Sequence, residues 1–188
     1  MKEVIHLRID DKTEKIILRH IKKKDVEGVW ENFNEVVKEG VYLPVFIPVR
    51  SQYEMNAWYD TIKQEEEICI VAEWPKLKPS NTIIGQCEVS NVEWEASKHV
   101  GNLGIIVKKG FRNIGLGYHL VDFAIRETKR KMNKEKIILS CFDTNKRALH
   151  LYEKMGFQKI GVREKQFLMD SEYHNEIMME IWIDDYLK

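Results

Sequence analysis

The sequence predicts a single α/β domain spanning residues 1–188, in which a mixed, mostly antiparallel sheet carries about four helices. A chain of 188 residues that is 44% hydrophobic can form one sizeable core and is short for two. Short apolar runs separated by turn residues predict adjacent antiparallel strands. A later strand, helix, strand order predicts a central parallel pair, because a parallel connection needs a crossover.

The N-terminal segment is predicted to begin with a hairpin. Strands at 4–9 and 15–20 flank the turn-forming residues 10–13, and residues 1–13 could form an extension of the domain. Apolar residues at helical spacing then predict a helix from its N-cap Asp25 to Gly40. An apolar loop at 41–48 follows, and its two prolines favour an extended backbone.

In the middle of the chain, the sequence pattern predicts one helix and an antiparallel meander. The helix runs from 51 to 64. Two apolar runs, 68–74 and 82–94, are predicted to be strands joined by a proline-containing turn at 75–80. A third strand follows at 100–107, and the short connections favour antiparallel neighbours.

The C-terminal part alternates helix and strand. A helix is predicted at 115–131, a strand at 136–141 and a second helix at 144–155. Two further strands, at 157–167 and 174–183, complete the sheet. The strand before the first of these helices and the strand after it form the predicted parallel pair.

The composition excludes several classes of function. Thirty basic and thirty acidic residues cancel, so no overall field attracts nucleic acid or an anionic membrane. No apolar run reaches the ~20 residues of a membrane span, and the first residues lack the apolar core of a signal peptide. We therefore expect a soluble, cytoplasmic protein. Cys69, Cys87 and Cys141 are predicted to be buried thiols rather than a disulfide or metal site.

A basic, glycine-containing turn between a strand and a helix is the first candidate site. Gly115 and Gly117 allow backbone N–H groups to approach an anion, and the following helix adds its dipole. Arg112 adds a permanent positive charge. A dinucleotide fold fits poorly, because Tyr118 and His119 follow and the third small residue of its fingerprint is absent. A Walker loop is excluded by the missing Gly-Lys-Ser or Gly-Lys-Thr.

A second block about thirty residues later makes the pattern specific. The segment Arg112-Asn-Ile-Gly-Leu-Gly117 resembles the R/Q-x-x-G-x-G/A motif of the GNAT superfamily of N-acetyltransferases. Asn145, Ala148, Leu151-Tyr152 and Gly156-Phe157 are similar to the second conserved block of that family. The order of predicted elements also resembles the family from Lys15 to Ile183.

The resemblance implies a GNAT-like fold with a splayed parallel strand pair, and an acetyl-CoA-dependent acyltransferase that needs no metal. Acetyl transfer would be direct, in a ternary complex with a primary amine. It implies no nucleic-acid or membrane partner, and a homodimer through an edge strand is compatible with it. The cofactor-binding residues that it implies are Ile105, Ile106, Val107, Arg112, Asn113, Ile114, Gly115, Leu116, Gly117, Asn145 and Tyr152.

The resemblance also implies catalytic residues. Tyr152 matches the general acid that protonates the departing thiolate, although its helical spacing would also suit a packing residue. Strand 100–107 lacks the carboxylate that several relatives use as general base. Glu88 is the best replacement, because strand alternation places it on the sheet face opposite Cys87. Glu93, His99 or a water relay are the alternatives.

The acceptor amine is expected near the loop after the first helix and near the last strand. Glu39, Tyr42, Leu43 and Tyr173 are the candidate substrate-binding residues, although a glutamate at a helix end is more often a solvated charge and a residue such as Tyr42 is more often part of the core. Amino acids, polyamines and protein N-termini are all compatible acceptors. A non-catalytic acyl-CoA sensor is the alternative function, and it would need neither Tyr152 nor a base.

Overall fold

The computed structural model describes residues 1–77 and 81–188, and the eight strands in this part of the chain form one sheet. The strands are β1 (Lys2–Ile9), β2 (Lys12–His20), β3 (Ile68–Glu73), β4 (Ile83–Asn91), β5 (Val100–Val107), β6 (Lys136–Phe142), β7 (Gln158–Met169) and β8 (Glu172–Trp182). The helices are α1 (Val26–Glu39), α2 (Gln52–Gln64), α3 (Leu116–Met132), α4 (Lys146–Lys154) and α5 (Ile183–Tyr186). Single 3₁₀ turns lie at Lys23–Asp25 and Glu95–Ser97.

The strand order is β1-β2-β3-β4-β5-β6-β8-β7. Only β5 and β6 pair in parallel, and the other neighbours are antiparallel. The parallel ladder is short, running from Val100 opposite Lys136 to Asn102 opposite Ile138. Beyond Asn102 the two strands separate, while β5 stays paired with β4 as far as Val107. The predicted mixed sheet with a splayed central pair is therefore confirmed.

Helices cover both faces of the sheet. On one face α3 buries residues such as Leu120 and Phe123 completely against β3 and β4. On the other face α1 and α2 bury Val29 and Ile62 over Cys69. Removing this apolar surface from water contributes roughly 25 cal/mol per Å² to folding. The three-layer arrangement leaves the strand ends, where β5 and β6 separate, as the open part of the sheet.

Element boundaries differ from the sequence predictions at a few places. Strand β4 ends at Asn91 rather than at 94, because the chain then enters the 3₁₀ turn at Glu95–Ser97. Helix α4 begins at Lys146 because the Asn145 side chain accepts a hydrogen bond from the Ala148 N–H and forms its N-cap. The short helix α5 was not predicted. Part of the predicted 75–80 turn, residues 78–80, lies outside the described residues.

Asp25 occupies the N-cap position of α1 as predicted, but its side chain does not cap the helix. Its carboxylate makes no capping hydrogen bond to α1. It instead accepts two hydrogen bonds from the Arg19 guanidinium, at 2.6 and 2.9 Å, and one from the Lys22 N–H. Arg19 also donates to Glu73. A buried guanidinium needs carboxylate partners to offset its lost hydration, and this requirement turns Asp25 away from the helix.

The three cysteines are free thiols. Cys69 and Cys87 are buried, as predicted, and burial raises the pKa of both thiols. Cys141 is only half-buried. In the described part of the chain, no helix has the length and apolar character needed to cross a membrane.

Candidate active site

The separation of β5 and β6 opens a cleft with a volume of about 520 Å³. One wall is the C-terminal end of β5, and Ile105, Ile106 and Val107 line it as expected. Because the β5–β6 ladder ends at Asn102, the facing edges beyond that residue have no strand-to-strand hydrogen bonds. Free backbone N–H and C=O groups at this edge can bind an extended, amide-containing chain.

The loop between β5 and α3 forms a second wall of the cleft. Its backbone has positive φ angles at Gly110, Asn113 and Gly115, the last at +88°. Left-handed residues of this kind direct successive N–H groups into a concave anion-binding surface, and the N-terminus of α3 adds its dipole. Gly117 has a packing role as well, because a Cβ there would lie 3.2 Å from a Leu151 methyl carbon. This loop therefore fits a phosphate group.

Two of the predicted cofactor-binding residues contribute no side chain to the cleft. Leu116 is fully buried in the main core, and Ile114 packs against that core. Neither side chain is therefore available to a ligand in the cleft. Asn113, Gly115 and Gly117 line the cleft directly.

Arg112 and Glu39 contact each other, although the sequence suggested separate roles for them. The Arg112 guanidinium donates two hydrogen bonds to the Glu39 carboxylate, at 2.8 and 2.5 Å. Its Nε donates to the Val107 carbonyl, and its Cζ lies 4.8 Å from the centroid of the Tyr42 ring. The pair lowers the pKa of Glu39 and raises that of Arg112. The end of α1 is thereby tied to the loop before α3.

Helix α4 supplies basic side chains that were not among the cofactor-binding residues predicted from the sequence. Arg147, His150 and Lys154 line the cleft beside Asn145. The signal was present, because positions 147, 150 and 154 recur at helical spacing and so share one face of the helix. This cationic face suits further phosphate groups of a ligand in the cleft.

Tyr152 lines the cleft and also belongs to the core. It is 5% exposed, and its ring centroid lies 5.7 Å from that of Phe157. Burial, followed by the nearby Cys141 and Cys87, raises the pKa of its hydroxyl well above the ordinary value. The hydroxyl is therefore neutral at neutral pH, and the raised pKa makes it a weaker acid than an ordinary tyrosine.

A second cavity of about 150 Å³ lies on the α1–α2 face of β5. We call it the aromatic cavity, because Trp30, Phe33 and Trp58 form its walls together with Gln86 and Glu88. It adjoins the main cleft, since Leu43, Gly104, Ile105 and Ile106 line both.

Glu88 lies where the two cavities meet. It is the ladder partner of Gly104, and its Oε1 lies 3.8 Å from the position that a Cβ on Gly104 would occupy. The absence of a side chain on Gly104 leaves the carboxyl group directly over β5. Burial raises the pKa of Glu88, and interaction with Trp58 opposes part of that shift. Strand alternation correctly placed Glu88 on this face.

The other candidates lie elsewhere. Glu93 and His99 are exposed, and neither is among the described residues that line the two cavities. Tyr173 is 62% exposed on β8 and is likewise outside this set. Tyr42 and Leu43 do line the main cleft. The site therefore combines the β5–α3 loop, α4, the aromatic cavity and the loop after α1.

Comparison with known proteins gives one consistent result. Residues 39–157 match the model of the acetyltransferase (GNAT) family. The chain is 27% identical over 104 residues to the [ribosomal protein uS5]-alanine N-acetyltransferase of Escherichia coli, a match covering 55% of the chain and 53% of that relative. It is 29% identical over 83 residues to the E. coli spermidine N(1)-acetyltransferase, covering 44% and 45%. The chain thus spans about half the length of these relatives.

The fold is shared with solved structures. A Salmonella typhimurium protein determined with its cofactor acetyl-CoA superposes with a TM-score of 0.81 at 16% identity. The superposition covers 90% of this chain and 95% of that structure.

Proposed function

Because this chain belongs to the acetyltransferase (GNAT) family, we propose that it transfers the acetyl group of acetyl-CoA directly to a primary amine while both substrates are bound. The observation that carries this proposal is the meeting of two cavities at Gly104, Ile105 and Ile106. A proton acceptor, Glu88, lies on one side of β5, and a proton donor, Tyr152, lines the cleft on the other.

The cleft residues fit acetyl-CoA, which supplies an activated acetyl thioester when bound. The N–H groups of the loop from Arg112 to Gly117 would hold its pyrophosphate. Arg147, His150 and Lys154 would bind further phosphate oxygens. The free edge at Ile105 to Val107 would bind the pantetheine amides and direct an N–H group at the carbonyl oxygen of the acetyl group.

The proton transfers are divided between two residues. The Glu88 carboxylate takes a proton from the nitrogen of the acceptor ammonium, so that the amine can attack the acetyl carbon. As the C–S bond breaks, the Tyr152 hydroxyl gives a proton to the departing sulfur of CoA, which prevents the thiolate from attacking the product. The second proton that the nitrogen loses on becoming an amide is released to solvent, from which Tyr152 is reprotonated. No cysteine nucleophile is needed, and burial raises the pKa of Cys69 and Cys87 thiols away from the reactive form.

The acceptor class determines how much the base must contribute. Deprotonating a lysine-like amine of pKa ~10.4 at pH 7 costs roughly 4.6 kcal/mol, whereas an α-amine of pKa ~7.8 costs about 1 kcal/mol. The two curated relatives are named for different acceptors, an alanine of a ribosomal protein and spermidine. Their names therefore leave both an α-amine and a polyamine open for this chain.

The test is acetyl-CoA-dependent release of free CoA thiol in the presence of polyamines, amino acids, aminoglycosides and peptides with free N-termini or internal lysines. Turnover with any amine supports the transferase. A folded protein that binds acetyl-CoA but turns over no amine would instead be the non-catalytic acyl-CoA sensor. Mass analysis of the product locates the acetylated nitrogen.

A further inference from the structure

The described part of the aromatic cavity contains one ionisable side chain, and this limits the positive charge that a ligand can carry into the cavity to a single group. Among the described residues that line it, Glu88 is the only ionisable one. A primary ammonium there gains both a carboxylate partner and the faces of aromatic rings. A second charge on the ligand would be buried without a partner, which is strongly unfavourable.

The walls also contain two unpaired polar atoms. Trp30 Nε1 and Gln86 Oε1 are buried and have no hydrogen-bond partner among the described residues, and they are two of the four such side-chain atoms found there. Gln86 as a whole is only 9% exposed. Buried donors and acceptors are nearly always paired in native proteins, because leaving one unpaired costs about 1–3 kcal/mol. One of these atoms is a donor and the other an acceptor.

A peptide group complements this pair of atoms. It is neutral, its carbonyl oxygen accepts one hydrogen bond, and its N–H donates one. Both wall atoms are covered by neighbouring atoms, so the Trp30 and Gln86 side chains must turn toward the ligand to reach it. The ammonium and the peptide group of a single residue would then engage Glu88, Trp30 and Gln86 together.

The size of the cavity restricts the ligand further. Its volume of about 150 Å³ is under a third of that of the main cleft, which favours a small first side chain such as that of alanine.

We propose that the aromatic cavity binds the first residue of a peptide, with its free α-amine on Glu88, its first peptide group between Trp30 and Gln86, and a small side chain. This inference rests on the proposed acetyltransferase function and names its acceptor class. A polyamine carries a second ammonium with no partner in the cavity. A lysine side chain has no peptide group next to its amine, and the carboxylate of a free amino acid would be repelled by Glu88.

The first experiment compares acceptors with the full chain and acetyl-CoA. Four acceptors are a peptide whose first residue is alanine, the small amide alaninamide, free alanine and spermidine. The fifth is the same peptide with a blocked N-terminus and an internal lysine. We expect kcat/KM for the free peptide and for alaninamide to exceed those of the other three by about ten-fold or more. The peptide and alaninamide arms distinguish a protein N-terminus from a small amide.

A second experiment isolates the Trp30 hydrogen bond. Trp30→Phe keeps an aromatic wall and removes the N–H donor. We expect it to lower kcat/KM for alaninamide by about ten-fold more than it lowers kcat/KM for isopropylamine, which lacks the carboxamide. Trp94→Phe is the matched control, because Trp94 is 73% exposed and outside both sets of lining residues in the described chain.

Failure of the acceptor inference and failure of the acetyltransferase proposal would give different experimental results. Preferred turnover of spermidine or of the internal lysine would overturn the inference and leave the transferase intact. Equal losses for alaninamide and isopropylamine in Trp30→Phe would also overturn it, because they would show a packing role only. Bound acetyl-CoA without turnover of any amine would overturn the transferase proposal, and the acceptor inference with it.

Discussion

At the scale of single residues, Tyr152 packs in the core and is the proposed proton donor, and one substitution separates the two roles. Tyr152→Phe keeps the ring that packs on Phe157 and removes the hydroxyl. We expect kcat to fall by about ten-fold or more while the Kd for acetyl-CoA stays nearly constant. Steady-state kinetics with calorimetric binding measure both. A variant with undiminished kcat would exclude Tyr152 as the acid.

The proposed role of Glu88 as the general base predicts how the reaction rate depends on pH. A carboxylate accepts a proton only when it is ionised, so the rate should rise as the pH passes through the pKa of Glu88. Burial raises that pKa above the ordinary 4.5 and moves the rise toward neutral pH. We expect Glu88→Gln to abolish this rising limb in the pH profile of kcat and to lower kcat by about a hundred-fold.

The matched control for this variant is Glu93→Gln, since Glu93 is exposed. It should keep the wild-type profile. If Glu88→Gln retains the rising limb, the base is another group.

At the scale of elements, the Arg112–Glu39 pair connects α1 to the loop before α3, and it occupies the guanidinium group that is proposed to bind phosphate. Both guanidinium Nη atoms donate to Glu39. We expect Arg112→Ala to raise the Kd for acetyl-CoA by about ten-fold. We expect Glu39→Gln, which weakens the competing contact, to leave that Kd unchanged or to lower it. Calorimetric titration measures both.

This pair of variants distinguishes two roles for the contact. Equal weakening by Arg112→Ala and Glu39→Gln would show that the ion pair holds the loop in shape. Direct contact between the guanidinium and acetyl-CoA would then not be needed to explain the weaker binding.

At the scale of the whole molecule, Glu127 links the N-terminal hairpin to α3. It is 2% exposed, lies 2.5 Å from the His20 Nε2 of β2, and accepts hydrogen bonds from Arg130. Hydrogen bonds from Arg130, which has the larger effect, and from His20 lower the pKa of Glu127 to about 2. A carboxylate with a depressed folded-state pKa stabilises the fold above its unfolded pKa, near 4.5, and loses that effect as the pH falls toward 2.

Glu127→Gln should therefore be less stable than the wild type at pH 7, and the difference should narrow progressively below pH 4.5. Urea denaturation at a series of pH values measures the free energy of unfolding of both proteins. A stability difference that is independent of pH would show that shape rather than charge accounts for the role of Glu127.

Features that depend on short stretches of chain could be predicted from the residues alone. The glycine loop at Arg112 to Gly117 is built from neighbouring residues, so its spacing was sufficient to predict it. Strand alternation placed Glu88 on the correct face for the same reason, because side chains in a strand alternate with a period of two. The antiparallel meander and the one parallel pair followed from short connections and one crossover.

The contacts between residues far apart in the sequence depend on how the elements pack. Glu39 and Arg112 are 73 positions apart, and nothing in either local pattern indicates their ion pair. The aromatic cavity takes its walls from α1, α2 and β4, and its polar content appears only when these elements pack. The physical reason is that periodicity reports which side of an element is buried, whereas partner choice depends on how separate elements pack against one another.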